Sequence, residues 1–297
     1  MNTHTVTVKS AQCYPQFLWY SKITQLSKRH FFIMAHQHGS WLLELVDDCI
    51  DFVSVYNVNK RKINVLCFGD SLTKGYANGG LEYYPYSETL NDLMRQHVAA
   101  NNEYHRFGIT YSIHVSNVGV NGESISDTMH DRLLRILTQS DVVFDAVIIN
   151  GGTNDIYCGY SAEKIWNNKG AETKSVDAVD FLESTSSIHQ IYEMVKGYTQ
   201  NPDIMTVAVT VPPFHLATDS MVRNTDRVNQ LIRGYCAETR NAKRMVLCDL
   251  AAEFPSFSMK PQYWDPDGCH FSEDGYALFG QIVFVSMRHW ITSKISI

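Results

Sequence analysis

The chain has 297 residues, 44% of them hydrophobic and 19% charged, with a formal net charge of -6. That length suits one large domain or two small ones, and the balance is that of an ordinary soluble globular protein. Scattered Lys and Arg give no basic footprint for nucleic acid, and no apolar run is long enough for an integral membrane segment.

The first 43 residues carry no Asp or Glu but include Lys9, Lys22, Lys28 and Arg29. This is a weak organelle-targeting signature, since aromatics interrupt any amphipathic face. Residues 1–60 are read as an N-terminal extension, partly disordered or carrying a packed helix over WLLELVDDCIDFV. His36-Gln37-His38 has no neighbouring carboxylate or Cys pair to complete a metal site. Seven cysteines, odd in number and without CxxC spacing, favour reduced thiols and a cytoplasmic location, with organelle targeting as the alternative.

From residue 61 to 297 strand-like and helix-like segments alternate, and this stretch is read as one domain. The strands are INVLCF, YSIHVSNV, DAVIIN, IMTVAVTV and RMVLCD. Helical stripes separate them: Leu90, Leu93, Met94, His97 and Val98; then Ile125, Met129, Leu133, Leu134 and Leu137. A further helix is expected from Val179 to Val195, another through Val228, Leu231, Ile232 and Tyr235, and a last one from about Asp274. Nearly continuous apolar strands between helices imply a parallel sheet covered on both faces. The expected architecture is a three-layer α/β/α domain around a flavodoxin-like, doubly wound five-stranded sheet. Residues 157–180, polar and rich in Asn, Lys and Ser, read as an insertion after the third strand.

In such sheets ligands bind beyond the carboxyl ends of the strands. The first strand ends in Gly69-Asp70-Ser71-Leu72, the second in Asn121-Gly122-Glu123-Ser124, and the third in Gly152-Thr153-Asn154-Asp155. After the fifth comes Asp265-Pro266-Asp267-Gly268-Cys269-His270.

These motifs resemble the SGNH hydrolases, the GDSL esterase and lipase family. Its invariant Ser, Gly, Asn and His map in order onto Ser71, Gly122, Asn154 and His270, within a resemblance covering about Ile63 to Trp290. The resemblance implies a Ser71–His270–Asp267 triad and an oxyanion hole from Ser71, Gly122 and Asn154.

The residues support the same chemistry without the name. A serine hydroxyl needs an adjacent base, and His270 can take and return a proton near neutral pH. Asp267, three residues earlier, can orient the imidazole; Asp265 is the alternative acid. Ser71 opens a turn leading into a helix, Gly122 permits close backbone approach, and Asn154 offers an amide donor. Each has an ordinary structural explanation as well: Ser71 as a helix cap, Gly122 as a turn residue, Asn154 as a turn or cap. Asp70 and Asp155 are expected to hold loop backbone. Tyr76, Tyr83, Tyr84, Tyr86 and Phe214 are candidates for an acyl pocket or for the core.

The expected function is ester hydrolysis through an acyl-enzyme on Ser71, with no metal or organic cofactor. The substrate is a small-molecule, lipid or carbohydrate ester. A carbohydrate O-acetyl esterase with the same residues and a non-catalytic ligand-binding relative are the alternatives.

Overall fold

The computed structural model describes the backbone of residues 5–6, 22–27, 30–37, 40–47 and 59. Backbone and side chains are described for 60–101, 109–167, 186–215, 217–238, 241 and 243–296. The chain divides into two compact units, Met1–Asn59 and Lys60–Ile297.

In the first unit β1 (Thr5–Val6), β2 (Lys22–Ser27), β3 (His30–Gln37) and β4 (Ser40–Asp47) form an antiparallel sheet in that order. The helix expected from Trp41 is therefore corrected over Trp41–Asp47. Those residues pair with β3 in unbroken register, and strand pairing overrides the helix propensity of Leu and Glu. Residues 48–53 of that expected helix lie outside the described residues, as do the side chains of His36 and His38.

The second unit is built on β5 (Asn59–Gly69), β8 (Ile109–Gly119), β9 (Ala146–Asn150), β10 (Met205–Val209) and β11 (Met245–Cys248). A two-residue pair, β6 (Tyr76–Ala77) with β7 (Glu82–Tyr83), follows the first of these strands. The main sheet is parallel with order β11-β10-β9-β5-β8. This is the doubly wound order anticipated, with its switch point between β5 and β9. The register there pairs Gly69 with Asn150, so the Gly-Asp-Ser turn and the Gly-Gly-Thr-Asn turn leave the sheet side by side.

The apolar runs explain the layers. Along β5, Val65 and Cys67 pack on one face, among α2 (Tyr86–Asn101) and α9 (Glu273–Ile295), while Leu66 and Phe68 pack on the other. That second face is covered by α3 (His130–Gln139), α6 (Ile188–Lys196) and α7 (Asp219–Ala237). A strand buried on both sides has no reason to alternate polar with apolar residues. The stripe read from Ile125 to Leu137 is split: Ile125–Met129 is a wide π turn that passes into α3. Short helices α1 (Ser71–Lys74), α4 (Thr153–Tyr157), α5 (Ala162–Asn167) and α8 (Leu250–Glu253) begin at the carboxyl rim or just beyond it. Residues 168–180 of the expected insertion, and residues 179–185 of the expected helix, lie outside the described residues.

Cys67, Cys158, Cys236, Cys248 and Cys269 are free thiols, and Cys67 and Cys248 are buried within their strands. Cys13 and Cys49 are outside the described residues. Among those residues no helix is long and apolar enough to cross a membrane.

Candidate active site

At the end of β5 the chain must turn sharply. Gly69 is required because a Cβ there would come within 2.2 Å of both the Asn150 carbonyl oxygen and Thr73 Oγ1. Asp70, not Ser71, caps α1: its Oδ1 accepts the Leu72 N–H at 2.9 Å. The capping explanation for Ser71 therefore fails. Ser71 is the first helical residue, where backbone N–H groups have no partner inside the helix.

The loop after β11 and α8 delivers the other half of the site. Ser71 Oγ lies 2.8 Å from His270 Nε2, and His270 Nδ1 lies 2.6 Å from Asp267 Oδ2. Asp267 Oδ1 also accepts the N–H groups of Cys269 (2.8 Å) and His270 (2.9 Å). Burial pushes the Asp267 carboxyl up, but these N–H groups and the imidazole outweigh it and hold it below its ordinary value. Such a chain lets an imidazole accept the hydroxyl proton while its other nitrogen is held in one tautomer.

Asp265 occupies a different place. Its Oδ1 accepts the Asp267 N–H (3.1 Å) and its Oδ2 the Asn78 N–H (2.6 Å), so it bonds backbone rather than the imidazole. The loop is closed by Asp265 N–H to the His270 carbonyl (2.9 Å) and Gly268 N–H to the Asp265 carbonyl (3.0 Å).

Gly122 has φ of +73°, a left-handed conformation that favours glycine, and open space where a Cβ would sit. Its loop is fastened beside the serine turn by the Val120 N–H to the Gly69 carbonyl (3.1 Å). Asn154, on α4, donates one amide N–H to the Glu123 carbonyl at 2.8 Å and retains a second N–H. Asp155, fully buried, accepts the N–H groups of Ile125 and Ser126 and the Ser126 hydroxyl.

A polar anchor that the sequence reading missed joins these blocks. Arg132 pairs with the buried Glu123 carboxylate and donates to the Val118 (2.6 Å) and Gly69 (3.0 Å) carbonyls. Its guanidinium lies 4.1 Å from the centre of the Phe68 ring. The only signal was an Arg nine residues after Glu123, on a helix read for its apolar stripe.

The aromatic candidates separate. Tyr86 is core, packed on Phe279 with ring centres 4.1 Å apart. Tyr76 lies against His270, and Tyr83 is exposed beside it. Tyr84 is partly buried against the core cluster that contains α2 and α9. Phe214 lines a pocket of about 160 Å³ with Pro213, His215, Ser256, Phe257, Ser258 and Trp264. Among the described residues no group of three His, Cys, Asp or Glu side chains is arranged to hold a metal.

The model of the GDSL-like Lipase/Acylhydrolase family matches residues 67–278. The chain belongs to that family and is an ester-hydrolysing enzyme. Solved structures agree in fold. A lipolytic protein of the G-D-S-L family from Veillonella parvula superposes with a TM-score of 0.52 at 16% identity, covering 76% of this chain and 98% of its own. A family 3 carbohydrate esterase from Clostridium thermocellum gives 0.53 at 15% identity, covering 79% and 100%. The lipase Lip_vut3 from a goat rumen metagenome gives 0.51 at 16% identity, covering 75% and 97%. No curated protein sequence matches the chain.

Proposed function

We propose that this protein is a serine esterase that hydrolyses carboxylic esters through an acyl-enzyme on Ser71. The observation that carries the reading is the unbroken chain from Ser71 Oγ through both imidazole nitrogens to the Asp267 carboxylate.

In the first half-reaction Ser71 Oγ bonds to the ester carbonyl carbon as its proton passes to His270 Nε2. The carbonyl oxygen becomes an oxyanion, for which the Ser71 N–H, the Gly122 N–H and the second Asn154 amide N–H are the donors. Collapse breaks the bond to the alcohol oxygen, which leaves with the proton from Nε2. Water then attacks the acyl carbon, giving its proton to Nε2, and the acid departs as Ser71 recovers that proton. Asp267 stays ionised throughout and stabilises the imidazolium.

A second reading is a carbohydrate O-acetyl esterase with the same residues, for which the pocket lined by Phe214 and Trp264 is a candidate sugar site. The pocket is lined by Phe214, His215, Phe257 and Trp264 together with Ser256 and Ser258, whose hydroxyls lie 3.2 Å apart. The free thiols support a reducing compartment, and we read the protein as cytoplasmic.

The test is a panel of nitrophenyl esters from acetate to palmitate, beside acetylated xylan and lysophospholipid. Turnover that survives EDTA and is lost in Ser71→Ala is expected. Loss on chelation restored by zinc would overturn the mechanism. A folded chain with no turnover on any of these would favour the non-catalytic relative.

A further inference from the structure

The hairpin after α1 has no part in the chemistry above, yet it is fastened to the acid–base loop from the far end of the sequence. We propose that Tyr76 and Asp265 are positioning residues for His270: the tyrosine ring supports the imidazole, and Asp265 ties the hairpin carrying that ring to the loop carrying His270. The inference rests on the reading of His270 as the base for Ser71.

Three observations converge. The Tyr76 and His270 rings have centres 4.5 Å apart with planes inclined at 43°. The Tyr76 backbone is pinned from α9 by the Tyr276 hydroxyl, which donates to its carbonyl at 2.7 Å. Two residues on, Asn78 adopts φ of +48°, the one non-glycine positive φ among the described residues. Such a conformation persists where the surroundings hold it, and here the Asn78 N–H is held by Asp265 Oδ2 at 2.6 Å across 187 residues of sequence.

Asp265 is 8% exposed and spends both carboxylate oxygens on N–H donors, one in the hairpin and one on Asp267. Only a carboxylate accepts at both positions; an amide would turn an NH₂ group toward one of the two donors. The residue that orients His270 and the ring that covers it are thus held by one side chain.

The consequence concerns charge. When the imidazole takes the Ser71 proton it becomes a cation, and an aromatic ring within about 6 Å favours a cation over a neutral ring. Tyr76 also packs against the imidazole, with the ring centres 4.5 Å apart. The other titratable groups near His270 are Asp267 and Cys269 on its own loop, Asp70 before α1 and Tyr276 on α9. Tyr83 and Lys74 lie beyond Tyr76, and His215 lies against Gly268. Because Asp70 also changes charge near neutral pH, the readout must be the imidazole itself.

The experiment follows the His270 ring protons by NMR across pH, and kcat on an aryl acetate, in full-length wild type, Tyr76→Leu, Tyr76→Phe, Asp265→Asn and Tyr76→Leu/Asp265→Asn. Leu keeps apolar bulk without a π face, so the imidazole midpoint should fall by about half a pH unit and kcat a few-fold. Tyr76→Phe should restore both. Asp265→Asn should move both in the same direction, and the double variant should be no worse than the larger single effect. A wild-type midpoint in Tyr76→Leu, failure of Phe to rescue, or additive effects in the double variant would overturn the proposal. Should Asp265→Asn fail to fold, the Leu and Phe pair decides alone. The NMR midpoint is readable even if the chain hydrolyses no ester, so failure of the esterase reading is told apart from failure of this one.

Discussion

The Asp155 carboxylate accepts the Ile125 N–H at 2.8 Å and the Ser126 N–H at 2.9 Å, so the turn after β9 holds the turn after β8. The acceptor sits one residue from Asn154, and the donors lie three and four residues beyond Gly122. Two of the three proposed oxyanion donors are therefore set by one buried side chain. Asp155→Asn must face an NH₂ group toward one of these donors, at a cost of about 1–3 kcal/mol. Thermal unfolding should drop by several degrees, and kcat should fall with it. Unchanged values for both would contradict the clamp.

Arg132→Leu should be more damaging to stability. It leaves the Glu123 carboxylate, with its side chain 4% exposed, buried without its partner. Breaking such a pair costs about 3–5 kcal/mol, measurable by urea unfolding. The Glu123→Gln/Arg132→Leu double variant should recover part of the loss, since the uncompensated charge is then gone.

Asp70 gives stability a pH dependence of unusual sign. Burial, with the charges of Asp155 and Glu123 also acting upward against the Leu72 N–H, raises its carboxyl to about 7. Its Oδ2 has no hydrogen-bond partner among the described residues. A raised folded value stabilises fully below the unfolded value near 4, and that contribution is lost progressively as pH rises to about 7. Asp70→Asn keeps an acceptor for Leu72 and cannot ionise. Its melting temperature relative to wild type should therefore rise from pH 4 to about 7 and then level off. A gap independent of pH would contradict the assignment.

Asp267 and Asp265 should separate cleanly. Asp267→Asn offers Nδ1 an amide that can hold the wrong tautomer, and kcat should fall by roughly 10⁴-fold. Asp265→Asn should cost only a few-fold. Asp267 is also held below its ordinary value, so its contribution is present above about pH 4 and lost as pH falls through the lower folded value. Wild type should thus lose stability in acid more steeply than Asp267→Asn. A severe loss at Asp265 with near-normal turnover at Asp267 would exchange their roles.

Much of this was legible in the sequence because the signals are local. Each apolar run reads as a buried strand, and each small polar cluster falls at a strand's carboxyl end. Asp267 and His270 are three residues apart, so one loop explains their meeting. What stayed hidden depends on distant pairing. Nothing near Asn78 announces that its N–H meets Asp265, and Arg132 reads as the polar side of an apolar helix until the Val118 and Gly69 carbonyls arrive beside it. The strand at Ser40–Asp47 failed for the same reason: leucine-rich local propensity pointed to helix, and β3 supplied the pairing.

The assignment of Ser71 as nucleophile is tested by intact-protein mass spectrometry after treatment with a serine-directed organophosphorus reagent. A single adduct is expected in wild type, mapped to Ser71, and none in a folded Ser71→Ala variant. An adduct of equal yield in that variant, or none in wild type, would contradict it.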